Sequence, residues 1–357
     1  MGLCRLGVQD FRCIANAELT VDGRCNLISG ENASGKTSLL EAIFFLGRGR
    51  SFRTTRYDEL CRKGAAGLTV TGRLERGEAS YPLGVSCDRS GISARYASRN
   101  VSGLAELATL LPVQAIDPDV HQIVEGGPQE RRRFLDWGVF HVEPGFVDDW
   151  RRYQRALRQR NAALRQGLDA RLVRAWDAEF IEAGNRVAER RAAYLAVLRP
   201  YVQRAGERLL GSSLELVLHR GWKERMGLDE ALDASWMRDL ERRSTQVGPH
   251  RADLAIGLGG KPARGRVSRG QQKLVASAML LGQLRCDADS GSPLAALLVD
   301  DPAAELDSTN LARLLDEVVQ LPAQLFVTAL DPTHRALRSL PTGARFHVEH
   351  GEISALV

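Results

Sequence analysis

Eight consecutive residues, Gly30-Glu-Asn-Ala-Ser-Gly-Lys-Thr37, have the types and spacing to hold a polyphosphate. In a loop of the form GxxxxGK[ST], backbone amides wrap the phosphates, the lysine reaches the β and γ oxygens, and the hydroxyl holds Mg²⁺. Gly30, Glu31, Asn32, Ala33, Ser34, Gly35, Lys36, Thr37 and Ser38 are therefore the expected nucleotide contacts. The flanks fit this reading. Cys25-Asn-Leu-Ile-Ser29 reads as a short buried strand, and Lys36 to Leu46 as a helix with Leu39, Leu40, Ile43 and Leu46 on one face. Ala33 departs from the usual pattern, standing where glycine is often found, which is tolerable if its φ stays negative.

A phosphate site also needs carboxylates. The apolar run Leu294 to Val299 ends in Asp300 and Asp301, and such a run suits a central parallel strand covered on both faces. Asp300 would act on Mg²⁺ through a coordinated water, and Asp301 would polarise the attacking water. The expected catalytic set is thus Asp301, Asp300 and Lys36, with Thr37 and Asp300 at the metal. Ser268-Arg-Gly-Gln-Gln-Lys273 then puts a serine and a glycine just before a helix from Lys273 to Leu284, which makes an anion-binding terminus.

The elements around these motifs change character along the chain. Up to about residue 110, short strands (Leu3 to Val8, Ala17 to Val21, Leu68 to Leu74) alternate with glycine-rich breaks. In the middle, Phe146, Trp150, Tyr153, Leu157 and Leu164 recur at helical steps, as do Leu172, Trp176, Phe180, Val187, Tyr194 and Leu198. Gly167 separates the two runs and Pro200 sits at the end of the second, so a pair of long antiparallel helices is expected there. After about residue 246 the β/α pattern returns, with a further strand at Gln324 to Thr328. The expected architecture is α/β. Residues 1–120 and 246–357 form a discontinuous P-loop ATPase head, and 121–245 an inserted helical arm.

Composition sets the limits. A chain of 357 residues with 44% hydrophobic and 26% charged content has room for about two ordinary globular domains. No stretch reaches the roughly 18 apolar residues of a membrane span, and Asp10, Arg12 and Glu18 interrupt any secretory core, so a cytoplasmic location is expected. The six scattered cysteines form no CxxC pair and read as reduced, buried, inert thiols, with no zinc site. Net charge is +5, and the segment from Gly145 to Pro200 holds twelve Arg against seven Asp or Glu, an excess as large as that of the whole chain. Arg151, Arg155 and Arg158 share one helix flank there. They are candidate DNA contacts, against the alternative of a solvated face or a protein-docking surface.

Taken together, the P-loop, Ser268 to Lys273 and the Asp pair resemble the three motifs of ABC-type ATPases. The signature motif of that class reaches across a dimer to the nucleotide held by the partner's P-loop. Ser268, Arg269, Gly270 and Gln271 would therefore act in trans, as would Asp307 of Glu305-Leu-Asp307, which matches the class's D-loop. Further motifs resemble the RecF family within the SMC-like branch. These are Phe11-Arg12, Asn32, Leu40-Glu-Ala-Ile43, Gly49-Arg-Ser-Phe-Arg53, Gly127-Pro128, Arg131-Arg-Arg-Phe-Leu-Asp136 and Gly248-Pro-His-Arg-Ala-Asp253.

The resemblance covers essentially the whole chain and implies ATP and Mg²⁺ as cofactors, with Arg12 added to the nucleotide contacts. It also implies an ATP-dependent homodimer that clamps DNA at single-strand gaps beside duplex and is released by slow, DNA-stimulated hydrolysis. RecO and RecR are the implied partners, so that RecA can load. Ala329 falls where ABC ATPases carry a switch histidine, leaving Thr328 as a stand-in, and Asp301 is one methylene shorter than the Glu of SMC heads. Gln114 to Asp119 is the expected neighbourhood of the Q-loop. Arg131 to Arg133 could be a solvated helix face or a DNA contact, and His250 a base, a ligand or a structural turn residue. Two rival functions remain at this point: the nucleotide-binding subunit of an ABC transporter, and an SMC-like structural module that uses ATP only to dimerise.

Overall fold

A computed structural model describes residues 2–356, apart from the side chain of Glu305. The chain divides into two compact units, residues 1–120 with 291–357, and residues 121–290. The first unit contains a six-stranded sheet in the order Glu352–Leu356, Ala344–Glu349, Cys25–Ser29, Ala323–Ala329, Ala295–Val299, Val113–Ile116. Every pairing in it is parallel except the hairpin of the first two strands. The middle strands read as unbroken apolar runs because both faces are covered, and all seven residues of Ala323–Ala329 are buried. A second six-stranded sheet, wholly antiparallel, begins with Gly2–Phe11 and Ile14–Thr20. One core joins the two sheets around the helix Lys36–Arg48, in which every residue except Thr37 is buried. The one open side chain is the one whose hydroxyl has chemistry to do.

The second unit is built on two helices, Phe146–Gln166 and Asp177–Leu210. They run antiparallel, since Asp149 pairs with Arg190 at one end and Arg160 with Asp177 at the other. Gly167 ends the first with φ 65°, a left-handed terminus that glycine adopts without a Cβ penalty. Phe146, Tyr153, Leu157, Leu164, Phe180, Val187, Tyr194 and Leu198 are all buried, as the periodicity required. Leu172 differs. It belongs to a separate short helix, Ala170–Arg174, capped by Asp169, and is 54% exposed.

Pro200 does not end the second helix, which continues to Leu210. Packing outweighs the lost hydrogen bond there. Val202, Ala205 and Leu209 are buried, and Gly282 of the helix Arg269–Asp289 comes so close that a Cβ on it would lie 2.9 Å from the Val202 backbone. The units change over at 290/291 rather than at the expected 245/246. Residues 246–290 pack with the helices, because Asp253–Leu258 pairs with Leu214–His219 and Arg269–Asp289 lies along Asp177–Leu210. Among the described residues, no helix is long and apolar enough to cross a membrane.

Candidate nucleotide-binding site

The loop from Gly30 to Gly35 joins the buried strand to its helix with three residues at positive φ: Gly30 at 154°, Ala33 at 62° and Gly35 at 122°. Ala33 therefore does not meet the condition of a negative φ. Its backbone is left-handed, a strain of about 1–2 kcal/mol for a residue with a Cβ, sustained by the loop around it. At Gly30 the steric demand is stronger, because a Cβ would meet the Val348 carbonyl oxygen at 2.2 Å. Lys36 is buried, and its Nζ donates to the carbonyls of Gly30 at 2.7 Å and Glu31 at 2.8 Å. Neither partner is a carboxylate. No side chain caps the helix at Gly35, which leaves its first amides facing the cleft. The Ser34 hydroxyl is buried and has no hydrogen-bond partner among the described residues.

Opposite the loop, Asp300 sits at the end of Ala295–Val299, and the Thr37 hydroxyl donates to its carboxylate, with the hydroxyl oxygen 2.8 and 3.0 Å from the two carboxylate oxygens. A hydroxyl has one proton. With that proton directed at Asp300, the lone pairs of the Thr37 oxygen remain for a cation. Asp300 also accepts from the buried Thr328 hydroxyl at 2.8 Å, and Thr328 in turn accepts from the Asp301 amide at 2.8 Å. Asp301 itself is left-handed at φ 39°, at the start of the short helix Pro302–Glu305. Thr328 thus lies fully buried between the two aspartates, which is not the open position of a switch histidine stand-in.

Arg12, Cys13, Asn32, Ala33, Gly35, Lys36, Thr37, Ser38, Arg53, Glu59, Cys61, Asp300 and Asp301 line a cleft of about 570 Å³. Arg12 reaches it while its guanidinium makes a two-pronged pair with Glu41 at 2.7 and 2.8 Å and a third bond to the Glu59 carbonyl. Glu41 is wholly buried and also accepts from Ser51, so it ties the turn at Arg12 and the loop at Ser51 to the P-loop helix. Arg53 and Glu41 belong to motifs noted in the sequence, but nothing in their spacing showed that they converge. Cys13 corrects the expectation of buried, inert thiols, since it is exposed and lines the cleft with Cys61. In the expected Q-loop stretch, burial pushes the Asp117 carboxyl up to about 7, with the Asp119 and Asp300 carboxylates adding to the rise.

The residues fit a nucleotide with a divalent cation. Among the described residues Lys36 meets no carboxylate and Ser34 has an unused hydroxyl, while Thr37 with Asp300 is a hard oxygen donor set.

Ser268, Arg269, Gly270 and Gln271 stand exposed at the start of the helix Arg269–Asp289, in the second unit. Ser268 caps that helix reciprocally with Gln271 at 3.3 and 3.0 Å. Asp307 caps the helix Ser308–Val319, accepting from the Thr309 and Asn310 amides, which lowers its pKa; the Glu305 side chain lies outside the described residues.

The remaining motifs close on one another. Arg131 is buried and forks onto Asp253, Arg132 donates to the Ala252 carbonyl, and the buried Arg191 forks onto Asp136 while donating to the Pro249 carbonyl. The alternatives for the arginine triplet thus give way to a third: Arg131 is a buried structural cation, and only Arg133 is an exposed helix residue, paired with Glu130. His250 takes its structural reading. Its Nδ1 accepts from the Tyr153 hydroxyl at 2.5 Å, its Nε2 donates to the Thr245 carbonyl, and burial lowers its pKa to about 4. Of the proposed DNA contacts, Arg151 lies 3.6 Å from Asp148, while Arg155 and Arg158 are exposed and form no ion pair among the described residues. Part of the segment's excess charge is offset by carboxylates outside it, with Arg160 on Asp239, Arg174 on Asp233 and Arg191 on Asp136.

The family described as RecF/RecN/SMC N terminal domain matches residues 2–347. Proteins named "DNA replication and repair protein RecF" match end to end. The one from Thioalkalivibrio sulfidiphilus (strain HL-EbGR7) is 40% identical, covering 99% of both chains, and that from Stenotrophomonas maltophilia (strain R551-3) is 39% identical, covering 100% of both. The chain belongs to the RecF family. A solved structure titled as the recombination mediator protein RecF with ATP, in the RecFOR pathway, superimposes with a TM-score of 0.89 at 25% identity, covering 100% of this chain and 98% of that one. An SMC head bound to the winged-helix domain of ScpA superimposes at 0.60 with 16% identity, covering 100% and 98%, a likeness of fold alone. The fold of this RecF-family chain is the ABC-type ATPase head with an inserted helical segment.

Proposed function

We propose that this chain is an ATP-dependent DNA-binding protein of recombinational repair and replication. In this reading two copies close head to head on ATP and Mg²⁺ and open after slow, DNA-stimulated hydrolysis. The observation that carries ATP use is the meeting of Thr37 and Asp300 beside an ammonium held only by loop carbonyls. Lys36 exchanges those carbonyls for phosphate oxygens, and the free amides of the P-loop helix bind the remainder. Thr37 and Asp300 would hold Mg²⁺, which would supply neutralisation of phosphate charge. Asp301 orients the attacking water. Ser268, Arg269, Gly270, Gln271 and Asp307 of a second copy complete the site, consistent with their exposure here.

Binding at single-strand gaps beside duplex, and work with RecO and RecR to load RecA, follow from likeness to relatives named for DNA replication and repair and to a structure placed in the RecFOR pathway. Residues 1–120 supply the P-loop lobe, 121–245 the helical segment, and 246–357 the signature and the Asp pair; in this assignment the motifs at 268–273 work with the head although they pack with the helices. The test is binding to gapped, duplex and single-stranded DNA with ATP, ADP and no nucleotide. ATP-dependent preference for the gapped substrate is expected, and equal binding in all nucleotide states would contradict it. Arg151, Arg155 and Arg158 changed together to Ala should flatten the dependence of log affinity on log salt by about 0.9 for each phosphate no longer neutralised, without altering ATP binding. An unchanged slope would move the DNA surface elsewhere.

A further inference from the structure

Thr328 touches neither the cleft nor any surface, yet it hydrogen-bonds both members of the aspartate pair. The direction of these bonds is fixed by chemistry. An amide can only donate, so the Asp301 N–H must give its proton to the Thr328 oxygen. The single Thr328 proton is then left for Asp300, which as a carboxylate can only accept. The chain Asp301 N–H to Thr328 O–H to Asp300, met from the other side by the Thr37 hydroxyl, therefore has one polarity.

Each aspartate is also pinned through its backbone to a different neighbour. The Asp300 amide donates to the Ile116 carbonyl at 2.9 Å, whereas that of Asp301 has turned to the side chain of Thr328. That turn coincides with the left-handed backbone of Asp301, where the strand breaks and the carboxylate leaves the sheet direction. Thr328 lies opposite Asp300 because the two strands run parallel with Val299 beside Val327.

We propose that Thr328 is a positioning residue for hydrolysis: one buried hydroxyl sets the Asp300 carboxylate and holds Asp301 in the strained backbone that aims its side chain. This rests on the nucleotide reading given above and deepens it. A β-branched residue suits the buried strand, and the hydroxyl is what separates Thr from Val at equal volume. The position beside the missing switch histidine thus acts on the aspartates from behind, leaving Ala329 without a polar role.

The test uses Thr328→Val, Thr328→Ala and Thr328→Ser in the full-length chain, with two readouts. Without nucleotide, hydrogen exchange of the Asp301 amide should be faster in the Val and Ala variants and close to wild type in the Ser variant. With ATP, kcat should fall about 10–100-fold in Val and Ala at little-changed ATP affinity, with recovery in Ser. Unchanged exchange in the Val variant, or wild-type kcat in it, would overturn the proposal. If the wild-type protein itself fails to hydrolyse ATP, the nucleotide reading falls, and amide exchange alone decides whether Thr328 holds Asp301.

Discussion

The two compact units use the same kinds of charged residue to opposite ends. In the P-loop unit, Lys36, Arg12, Arg53 and the aspartate pair surround open space, and Lys36 is held by backbone carbonyls that are easily exchanged. In the helical unit Arg131, Arg160 and Arg191 are almost wholly buried, and each is matched to carboxylates: Asp253 for the first, Asp177 and Asp239 for the second, Asp136 for the third. Lys36, facing the cleft with only exchangeable carbonyls as partners among the described residues, is suited to a ligand, whereas Arg12 beside it is already forked onto Glu41. A buried cation closed in by carboxylates is kept for the fold, and the loss of Arg160 would leave the wholly buried Asp239 without its ion-pair partner. Family motifs alone do not tell these uses apart, for both units carry them.

The sharpest way to break this contrast is to remove one charge from each unit. Lys36→Met should abolish measurable ATP binding by calorimetry while leaving the unfolding midpoint nearly unchanged, since its partners are two carbonyls that water can serve. Arg131→Met should do the reverse. Denaturant titration is expected to show a loss of about 1–2 kcal/mol from the Gly126 carbonyl and the Asp253 carboxylate left without this donor, Asp253 being about a third exposed, with ATP affinity kept. If the first variant unfolds, or the second loses nucleotide but not stability, the assignment of roles is wrong.

A smaller effect concerns Asp287, buried against the Tyr194 hydroxyl at 2.7 Å, where burial raises its pKa to about 7. A carboxyl raised in the folded state binds its proton more tightly there than in the unfolded chain. Its ionisation therefore costs stability as pH climbs from about 4 to 7, and the cost persists above. Asp287→Asn should be more stable than wild type by on the order of 1–2 kcal/mol at pH 8 and no more stable at pH 4. Equal stability gaps at both pH values would mean that folding does not raise the Asp287 pKa.

The P-loop unit was largely legible in the sequence because its signals are local. A strand, a glycine loop and a helix are contiguous, and parallel strands covered on both faces announce themselves as apolar runs such as Leu297 to Val299. The roles of Glu41 and Thr328 were not legible, since each depends on partners from distant parts of the chain. The φ of Ala33 was not legible for a related reason: its sign depends on the loop's closure, which imposes +62°. In the helical unit, period identified the buried stripe correctly, yet it carried no information on which arginines would find carboxylates. Pro200 misled because local propensity does not register the close approach of Gly282.

In the proposed function, Ser268 of one copy completes the nucleotide site of another. Mixing Lys36→Met with Ser268→Arg protein tests it most directly. Each variant alone should be inactive, while heterodimers retain one composite site, built from the P-loop of the Ser268 variant and the signature of the Lys36 variant. Measured across mixing ratios, ATP hydrolysis should recover in part and peak near equal amounts. No recovery at any ratio, with both variants folded, would contradict a site shared between two copies.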